Sequence, residues 1–262
     1  MWAPPSYLSG CSQAVLLAGK PVLVRNYDYA PERLEGSILH TCWVRPVIGS
    51  GDCAWGLLDG INDAGLAVSL AFGGREVVGG GFGVPIVVRY LLETCETTEA
   101  ARATLRRLPY HLAHTLTIVD RSGDVCTAYL SPDRPVELTS AIVATNHQGR
   151  VEWREHAVAN RSVERERALM SLLADDSTTS ERLTEAFLHP PLHVSGSDRR
   201  MDTLYTVAYH VDEGRAEFRW PGVTWSLGFD AFEEGVRTVQ LVESSAAYGP
   251  GGTSIAHGGC PR

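Results

Sequence analysis

The sequence predicts an α+β fold in which antiparallel sheets carry helices on their outer faces. Two observations support this fold class. Successive apolar runs are joined by short turns, such as Gly19-Lys20 and residues 120–124, and this arrangement is typical of hairpins rather than of crossover connections. Two groups of segments with helical periodicity interrupt the strands, and elements in that order pack as layers.

The predicted strands are short apolar runs bounded by Gly, Pro, Asn or Asp, which favour turns. Residues 62–65 and 212–214 are two such turns. The predicted strands cover residues 12–18, 21–27, 37–47, 54–61, 65–72, 114–119, 125–130, 141–145, 203–210, 215–220 and 236–242.

Four helices are predicted. Pro85 suits the first turn of a helix over residues 84–95. Thr97 and the residues after it cap a second helix, which continues to Leu108 and ends before Pro109. The other two helices cover residues 161–174 and 179–188.

The chain is expected to form one domain. It has 262 residues, of which 44% are hydrophobic, and this is enough for a sizeable core. Residues 1–10 contain two adjacent prolines and are predicted to be a short leader. Residues 11–245 are the predicted domain, and the Gly-rich residues 246–262 are predicted to be a flexible tail.

The composition excludes several classes of protein. A net charge of −8 disfavours non-specific nucleic-acid binding, which needs a basic surface. No apolar run reaches transmembrane length, and the first ten residues lack the features of a secretory signal. The six cysteines are scattered, without a CxxC pair or zinc spacing, so we expect no metal site, no disulfide scaffold and a cytoplasmic location.

The Gly10–Cys11 bond is a candidate cleavage site. If it were cut, Cys11 would carry both a thiol and an α-amine that titrates near neutral pH. Such an amine can act as the general base for its own thiol. Gly10 suits the cut, because it has no side chain and allows a strained backbone. The alternative interpretation is an ordinary buried cysteine that opens a strand.

Two charged residues, Arg25 and Asp28, follow Cys11 by 14 and 17 positions. A cation and an anion this close in sequence to a cysteine are candidates for one site. The alternative is a structural ion pair at the end of a strand.

Five segments of the chain carry a family resemblance. They are Gly10-Cys11-Ser12, Arg25-Asn26-Tyr27-Asp28, residues 59–69 (DGINDAGLAVS), Ala144-Thr145-Asn146-His147, and residues 203–206 (TLYT) with 218–222 (FRWPG). In this order and spacing they resemble the acyl-coenzyme A:6-aminopenicillanate acyltransferase family, peptidase family C45, which is related to choloylglycine hydrolases and penicillin V acylases. The resemblance runs from about residue 10 to about residue 242.

The resemblance implies the fold of N-terminal-nucleophile (Ntn) hydrolases, a four-layer αββα sandwich of two antiparallel sheets. It implies that the chain cleaves itself in front of Cys11 and that Cys11 is the nucleophile. It also implies that Asp28 contacts the new α-amine and that Arg25 lies beside the thiolate. The side-chain amide of Asn146 would donate a hydrogen bond to the oxyanion, which needs a fixed donor.

Other positions match the family less closely. His147 is expected to line the pocket or to be structural, because the α-amine already supplies the base. Ala71 stands where related bile-salt hydrolases carry an asparagine, so only its backbone N–H could serve the oxyanion. The family's late arginine is assigned to Arg200, with Arg199 as the neighbouring option, whereas Arg165 on a charged helix is interpreted as solvated or structural.

These residues predict an amidohydrolase or acyltransferase that carries the acyl group of a linear amide or thioester on Cys11. The expected partner is a small acyl amide or acyl thioester, with no nucleic acid and no membrane, and a homo-oligomer is left open. No cofactor is expected, although an acyl-coenzyme A could be the donor. Two alternatives stay open: an uncleaved, non-catalytic binding protein of the same fold, and an unprocessed hydrolase that pairs Cys11 with His147.

Overall fold

The computed structural model describes residues 2–4, 9–195 and 201–241, together with the backbone of 252–258. The described residues form two β-sheets and five α-helices. One sheet has six strands, namely β1 (Gly10–Leu16), β2 (Val22–Tyr29), β10 (Val143–Ala144), β11 (Asp202–His210), β12 (Arg215–Trp220) and β13 (Val223–Gly228). They are ordered β10-β1-β2-β11-β12-β13, and every neighbouring pair is antiparallel.

The second sheet has nine strands. They are β3 (Ser37–Cys42), β4 (Pro46–Asp52), β5 (Gly56–Asn62), β6 (Ala67–Phe72), β7 (His114–Val119), β8 (Val125–Leu130), β9 (Glu137–Thr139), β14 (Val236–Gln240) and β15 (Gly252–Gly258). Their order is β14-β15-β3-β4-β5-β6-β7-β8-β9. All pairs are antiparallel except β15 with β3.

Alternation along β1 decides which side chains lie between the sheets, because successive strand residues point to opposite faces. Gln13 faces the nine-stranded sheet, where its side-chain oxygen accepts a hydrogen bond from Ser69 of β6 at 2.8 Å. Cys11 lies on the same face of β1. Ala14 and Leu16 point the other way, into a core that includes Leu169 and several residues near it in space.

The helices are α1 (Val84–Thr94), α2 (Thr98–Leu105), α3 (Arg154–Ala159), α4 (Ser162–Leu173) and α5 (Ser180–Ala186). Helices α4 and α5 contribute to the core on the outer face of the six-stranded sheet. Helix α1 packs on the outer face of the other sheet, so closely that a Cβ at Gly60 would lie 2.8 Å from a methyl carbon of Leu92. The predicted layered sandwich of two antiparallel sheets is therefore confirmed.

Several boundaries differ from the sequence prediction. The strand predicted over residues 37–47 ends at Cys42, and a turn leads into β4, which begins at Pro46. Proline is tolerated at the first residue of a strand, and the glycines in β4 conceal its pattern. The prediction also missed β9, α3 and β13, which are short elements of mixed composition.

The two ends of the chain were predicted as a leader and a tail. Trp2 packs edge-on against Phe82, with ring centroids 5.2 Å apart, and Gly10 is already part of β1. The predicted flexible tail contains β15, which pairs with β14 on one side and β3 on the other. The sequence could not show this strand, because its hydrogen-bond partners are distant in the chain. Residues 246–251 and 259–262 lie outside the described part.

Two findings bear on the predicted location. No helix in the described part of the chain is long and apolar enough to cross a membrane. Cys42 is disulfide-bonded, whereas Cys11, Cys53, Cys95 and Cys126 are free. Disulfides persist more readily in oxidising compartments, so the disulfide does not favour the predicted cytoplasmic location, which stays a prediction.

Candidate active site

The hairpin of β1 and β2 explains why the first motif residues are spaced as they are. In its antiparallel register Gly10 faces Asp28, Cys11 faces Tyr27 and Gln13 faces Arg25. Residues directly opposite one another share a face of the sheet. Arg25 therefore lies with Cys11 between the two sheets, whereas Asp28 lies with Gly10 on the face toward the helices.

The Cys11 thiol is fully buried and contacts a cation. Arg25 donates from Nη2 to Sγ at 3.2 Å, and the hydroxyl of Ser9 lies 3.8 Å from Sγ. Burial raises the pKa of the Cys11 thiol, Arg25 lowers it, and the charge of Asp28 raises it again, with a net rise. In the uncleaved chain the thiol is therefore protonated near neutral pH and needs a base before it can attack a carbonyl.

Arg25 is held by a carboxylate to which the sequence analysis gave no role. Its Nη1 forms an ion pair with Asp59 of β5 and donates to the Leu58 carbonyl at 3.1 Å. The guanidinium carbon also lies 4.9 Å from the ring centroid of Tyr27. All these groups are buried, so Arg25 has little freedom to move away from the thiol.

Asp28 lies beside the Gly10–Cys11 bond. A Cβ at Gly10 would come within 2.9 Å of the Asp28 Cβ, and Gly10 has no left-handed backbone angle. A side chain is thus excluded by the close approach of Asp28, and the expected backbone strain is not needed to explain this glycine. Burial raises the pKa of Asp28, while Arg165 and a 2.7 Å hydrogen bond from Thr203 oppose that rise.

Asn146 follows β10, and its side chain contacts the main chain on both sides of the Gly10–Cys11 bond. Its Oδ1 accepts from the Cys11 backbone N–H at 3.0 Å and from Arg165 Nη2 at 2.6 Å. Its Nδ2 donates to the Ser9 carbonyl at 3.2 Å and to the Phe72 carbonyl at 3.1 Å. Because Oδ1 accepts two hydrogen bonds and Nδ2 donates two, the orientation of the amide is fixed. The side chain is therefore a preorganised donor next to Cys11.

Arg165 is a site residue that the sequence analysis missed, and the interpretation as a solvated residue is wrong. It is 1% exposed, and its Nη1 donates to the Cys11 carbonyl at 2.5 Å and to the Ser12 hydroxyl at 2.8 Å. The same nitrogen lies 3.6 Å from the Asp28 carboxylate. A usable signal was present, because Arg165 falls between Ser162 and Leu169 on the buried face of α4.

The remaining predicted residues either form no hydrogen bond with the Cys11 thiol in the described part of the chain or lie outside that part. His147 Nδ1 is 2.8 Å from the Ser162 hydroxyl and 3.3 Å from the Thr145 hydroxyl, and its Nε2 is 3.3 Å from Glu166, so its polar contacts are to α4 and to Thr145. Ala71 is buried in β6, directly before the Phe72 carbonyl that Asn146 contacts. Arg200, like Arg199, lies outside the described residues.

The arrangement is suited to acyl transfer. It contains a buried thiol, a cation beside it, a carboxylate packed against Gly10, and a fixed amide donor. These are the parts that nucleophilic catalysis with oxyanion stabilisation requires. Within the described ranges, no group of three His, Cys, Asp or Glu residues could hold a metal ion.

The sequence model of a known family matches most of the chain. The family is described as acyl-coenzyme A:6-aminopenicillanic acid acyl-transferase, and the match covers residues 17–225. It includes Arg25, Asp28 and Asn146 but begins after Cys11. No curated protein matches the chain.

Three solved structures resemble the chain at low sequence identity. An N-acylethanolamine-hydrolyzing acid amidase ortholog from Caenorhabditis elegans has a TM-score of 0.57 and 16% identity, with 78% of this chain and 93% of that chain covered. Penicillin V acylase from Agrobacterium tumefaciens has a TM-score of 0.54 and 13% identity, with 83% and 86% covered. A conjugated bile acid hydrolase from Clostridium perfringens has a TM-score of 0.51 and 13% identity, with 85% and 95% covered. These likenesses show the Ntn-hydrolase fold.

Proposed function

Since this chain belongs to the acyl-coenzyme A:6-aminopenicillanic acid acyl-transferase family, we propose that it is a self-processing enzyme that transfers or hydrolyses the acyl group of a linear amide or thioester through Cys11. The observation that carries the proposal is the position of Asn146. Its Oδ1 accepts a hydrogen bond from the N–H of the Gly10–Cys11 peptide, and its Nδ2 donates to the carbonyl of Ser9.

Processing would begin at the thiol of Cys11. The thiol loses its proton, Sγ forms a bond with the carbonyl carbon of Gly10, and the Gly10–Cys11 carbon–nitrogen bond breaks as the nitrogen takes a proton. Water then hydrolyses the resulting thioester, which leaves a carboxylate on Gly10 and restores the thiol. The new α-amine of Cys11 would lie beside Asp28, which can hold its protonated form.

Turnover would use the same thiol with its own amine as base. The amine takes the thiol proton, Sγ attacks the substrate carbonyl, and the proton passes to the leaving amine as the carbon–nitrogen bond breaks. The contact between Arg25 Nη2 and Sγ supports this step, because a guanidinium favours the thiolate. The acyl group then passes from Cys11 to water or to an acceptor amine.

The oxyanion would be stabilised by Asn146. In the uncleaved chain its Nδ2 donates to the carbonyl of Ser9, which belongs to the predicted leader. Departure of the leader removes this acceptor, so that the donor becomes available to a substrate oxygen. Arg165 and the Cys11 N–H hold the other end of the amide in place, which is the preorganisation that oxyanion catalysis needs. The backbone N–H of Ala71 remains our proposal for a second donor.

The expected substrate is a small acyl amide or acyl thioester, with acyl-coenzyme A as one conceivable donor. The proposal requires no metal. The alternative of an unprocessed hydrolase using His147 has less support, because the ring nitrogens of His147 are engaged by Ser162 and Glu166.

The test is an intact-mass measurement with N-terminal sequencing of purified protein. Wild-type protein should lose residues 1–10 without added protease, and Cys11→Ala should keep them and have no turnover. Cys53→Ala is the matched control, because Cys53 lies at the surface, where partial desolvation of its thiol and the charge of Asp52 raise its pKa to about 12. It should process and turn over normally. A wild-type protein that remains full length would contradict self-processing, and turnover by that full-length form would favour the His147 alternative.

A further inference from the structure

Asp59 is a fully buried carboxylate whose two oxygens each receive two donors. Its Oδ1 accepts from the Ser50 hydroxyl at 2.9 Å and from the Tyr209 hydroxyl. Its Oδ2 accepts from the Tyr205 hydroxyl at 2.7 Å and from Arg25 Nη1. The donors come from three strands: Ser50 lies on β4 of the nine-stranded sheet, whereas the two tyrosines on β11 and Arg25 on β2 belong to the six-stranded sheet.

This degree of coordination goes beyond what pairing a buried arginine would need. A buried ion pair is not in itself a source of stability, because desolvation of the two charges offsets their attraction. Burial and the neighbouring Asp59 raise the pKa of Tyr205 and Tyr209, so both phenols stay protonated and remain donors. The four donors therefore hold the carboxylate in a fixed position.

Asp59 reaches the nucleophile through a single rigid group. A guanidinium is planar, so fixing Nη1 also fixes the direction in which Nη2 points. Nη1 of Arg25 pairs with Asp59, and Nη2 lies 3.2 Å from Sγ of Cys11. A change at Asp59 must then alter both the aim of Arg25 and the positive charge felt by the thiol.

Other charged and titratable groups lie near Cys11 and Arg25, on both faces of the six-stranded sheet, and must be considered together with Asp59. They are Tyr27 and Asp28 from β2, Tyr205 and Tyr209 from β11, Arg165 from α4, and His193 near Asp28. None of them forms an ion pair with Arg25 in the described part of the chain, whereas Asp59 does.

We infer that Asp59 is a positioning residue for Cys11 that acts through Arg25. It aims the guanidinium at the thiol and offsets part of its charge, so that the thiol keeps its proton until the α-amine removes it. The inference rests on the proposed function of Cys11 as the nucleophile.

The test is the pH dependence of iodoacetamide alkylation at Cys11 in the variant Asp59→Asn. This substitution keeps the size of the side chain and removes its charge. The uncompensated Arg25 should lower the apparent pKa of the thiol by about 1 unit, which gives roughly tenfold faster alkylation at a fixed pH below the midpoint. Turnover should nevertheless fall about 100-fold in kcat with little change in KM, because the guanidinium is no longer held in its productive position.

Two variants serve as controls. Glu93→Gln removes another buried carboxylate that pairs with an arginine, Arg89 on α1, and should leave the alkylation profile of Cys11 unchanged. Tyr209→Phe removes a donor from Asp59 but keeps its charge. With one donor fewer, Asp59 makes the electrostatic potential at the Cys11 thiol more negative. The midpoint of Cys11 alkylation should therefore move to higher pH, with roughly twofold to threefold slower alkylation. Cys95 and Cys126 are buried as deeply as Cys11 and should label no faster in the variants than in wild type, so a change confined to Cys11 excludes local unfolding.

Opposite shifts in Asp59→Asn and Tyr209→Phe would support the inference. A folded Asp59→Asn protein with the wild-type midpoint would overturn it. If Asp59→Asn does not fold, the midpoint of Tyr209→Phe decides, and an unchanged value overturns the inference. The proposed function fails separately, since alkylation requires no substrate and a shift can be measured in a protein that has no turnover.

Discussion

The side-chain oxygen of Asn146 lies 3.0 Å from the backbone nitrogen of Cys11, the atom that the proposed cleavage would convert into an α-amine. The amide nitrogen of the same side chain donates to the Ser9 carbonyl on the other side of the scissile bond. Asn146 therefore contacts the chain on both sides of this bond. Under the proposed cleavage its Nδ2 would lose the Ser9 acceptor and become available to a substrate oxygen.

Asn146→Ala is therefore expected to reduce turnover more than binding. Losing one preorganised oxyanion donor costs about 3–4 kcal/mol, or roughly 100- to 1000-fold in kcat. Binding of a substrate analogue should change much less, since the ground-state carbonyl carries little charge. Asn146→Asp should be worse, because a carboxylate repels the oxyanion. Steady-state kinetics and analogue titration would measure both effects.

The matched control for Asn146 is Asn62→Ala. Asn62 is also a buried asparagine that donates to two carbonyls, those of Leu92 and Cys95, but it lies under α1. This variant should lose stability without losing kcat in the folded fraction. A folded Asn146→Ala protein with near wild-type turnover would show that Asn146 has a structural role and does not stabilise the oxyanion.

Arg165→Met should weaken both stability and processing. Breaking a buried charge interaction by removing one partner costs about 3–5 kcal/mol, because Asp28 is left buried without its cation. Arg165→Lys should lie between wild type and Arg165→Met in both stability and processing. Lysine keeps the charge but not the forked geometry that reaches both the Cys11 carbonyl and Asn146. Urea denaturation and intact mass would measure the two effects.

Arg167→Met provides the comparison on the same helix, because Arg167 is exposed. It should leave stability within about 0.5 kcal/mol of wild type and should process normally. Equal behaviour of the Arg165 and Arg167 variants would show that the buried position of Arg165 has no functional consequence.

Gly10→Ala should slow self-cleavage. The added Cβ would lie 2.9 Å from the Asp28 Cβ and 3.0 Å from its Oδ2, so either β1 or the carboxylate must shift. Gly228→Ala is the control, because a Cβ there meets nothing within 4 Å. The fraction of full-length protein, followed over time by mass spectrometry, should rise in the first variant only. Unchanged cleavage in Gly10→Ala would mean that the contact with Asp28 is not critical.

Acid should destabilise the fold through His114. Burial lowers the pKa of His114 to about 4, from an ordinary value near 6.5. The unfolded chain therefore binds the proton between these values and the folded chain does not, so stability falls as pH drops from about 6.5 to about 4. The loss from this group approaches about 3 kcal/mol.

Urea titrations at pH 7 and pH 4.5 would measure that loss. His114→Gln should lower stability at pH 7 but flatten the dependence on pH. His189→Gln should leave the slope unchanged, because His189 lies largely in solvent, with 60% of its side chain exposed. An unaltered slope in His114→Gln would assign the acid sensitivity to other groups.

The sequence by itself determined the features that depend on local spacing. Gly10, Cys11, Arg25 and Asp28 lie in one hairpin, and the length of its turn fixes the register that brings them together. The predicted antiparallel layers follow from the same local alternation and from turn residues. The family resemblance placed Asn146, although Cys11 and Asn146 are 135 residues apart.

Only the tertiary structure decided which charges accompany the thiol. Arg165 contacts the Cys11 carbonyl from 154 positions away, and Asp59 reaches Arg25 from the opposite sheet. The spacing of Arg165 to Ser162 and Leu169 indicates which face of α4 it lies on, but not that Cys11 and Asn146 lie opposite that face. The residues that contact a helix or strand face depend on which distant element packs against it, and local sequence patterns do not specify that element.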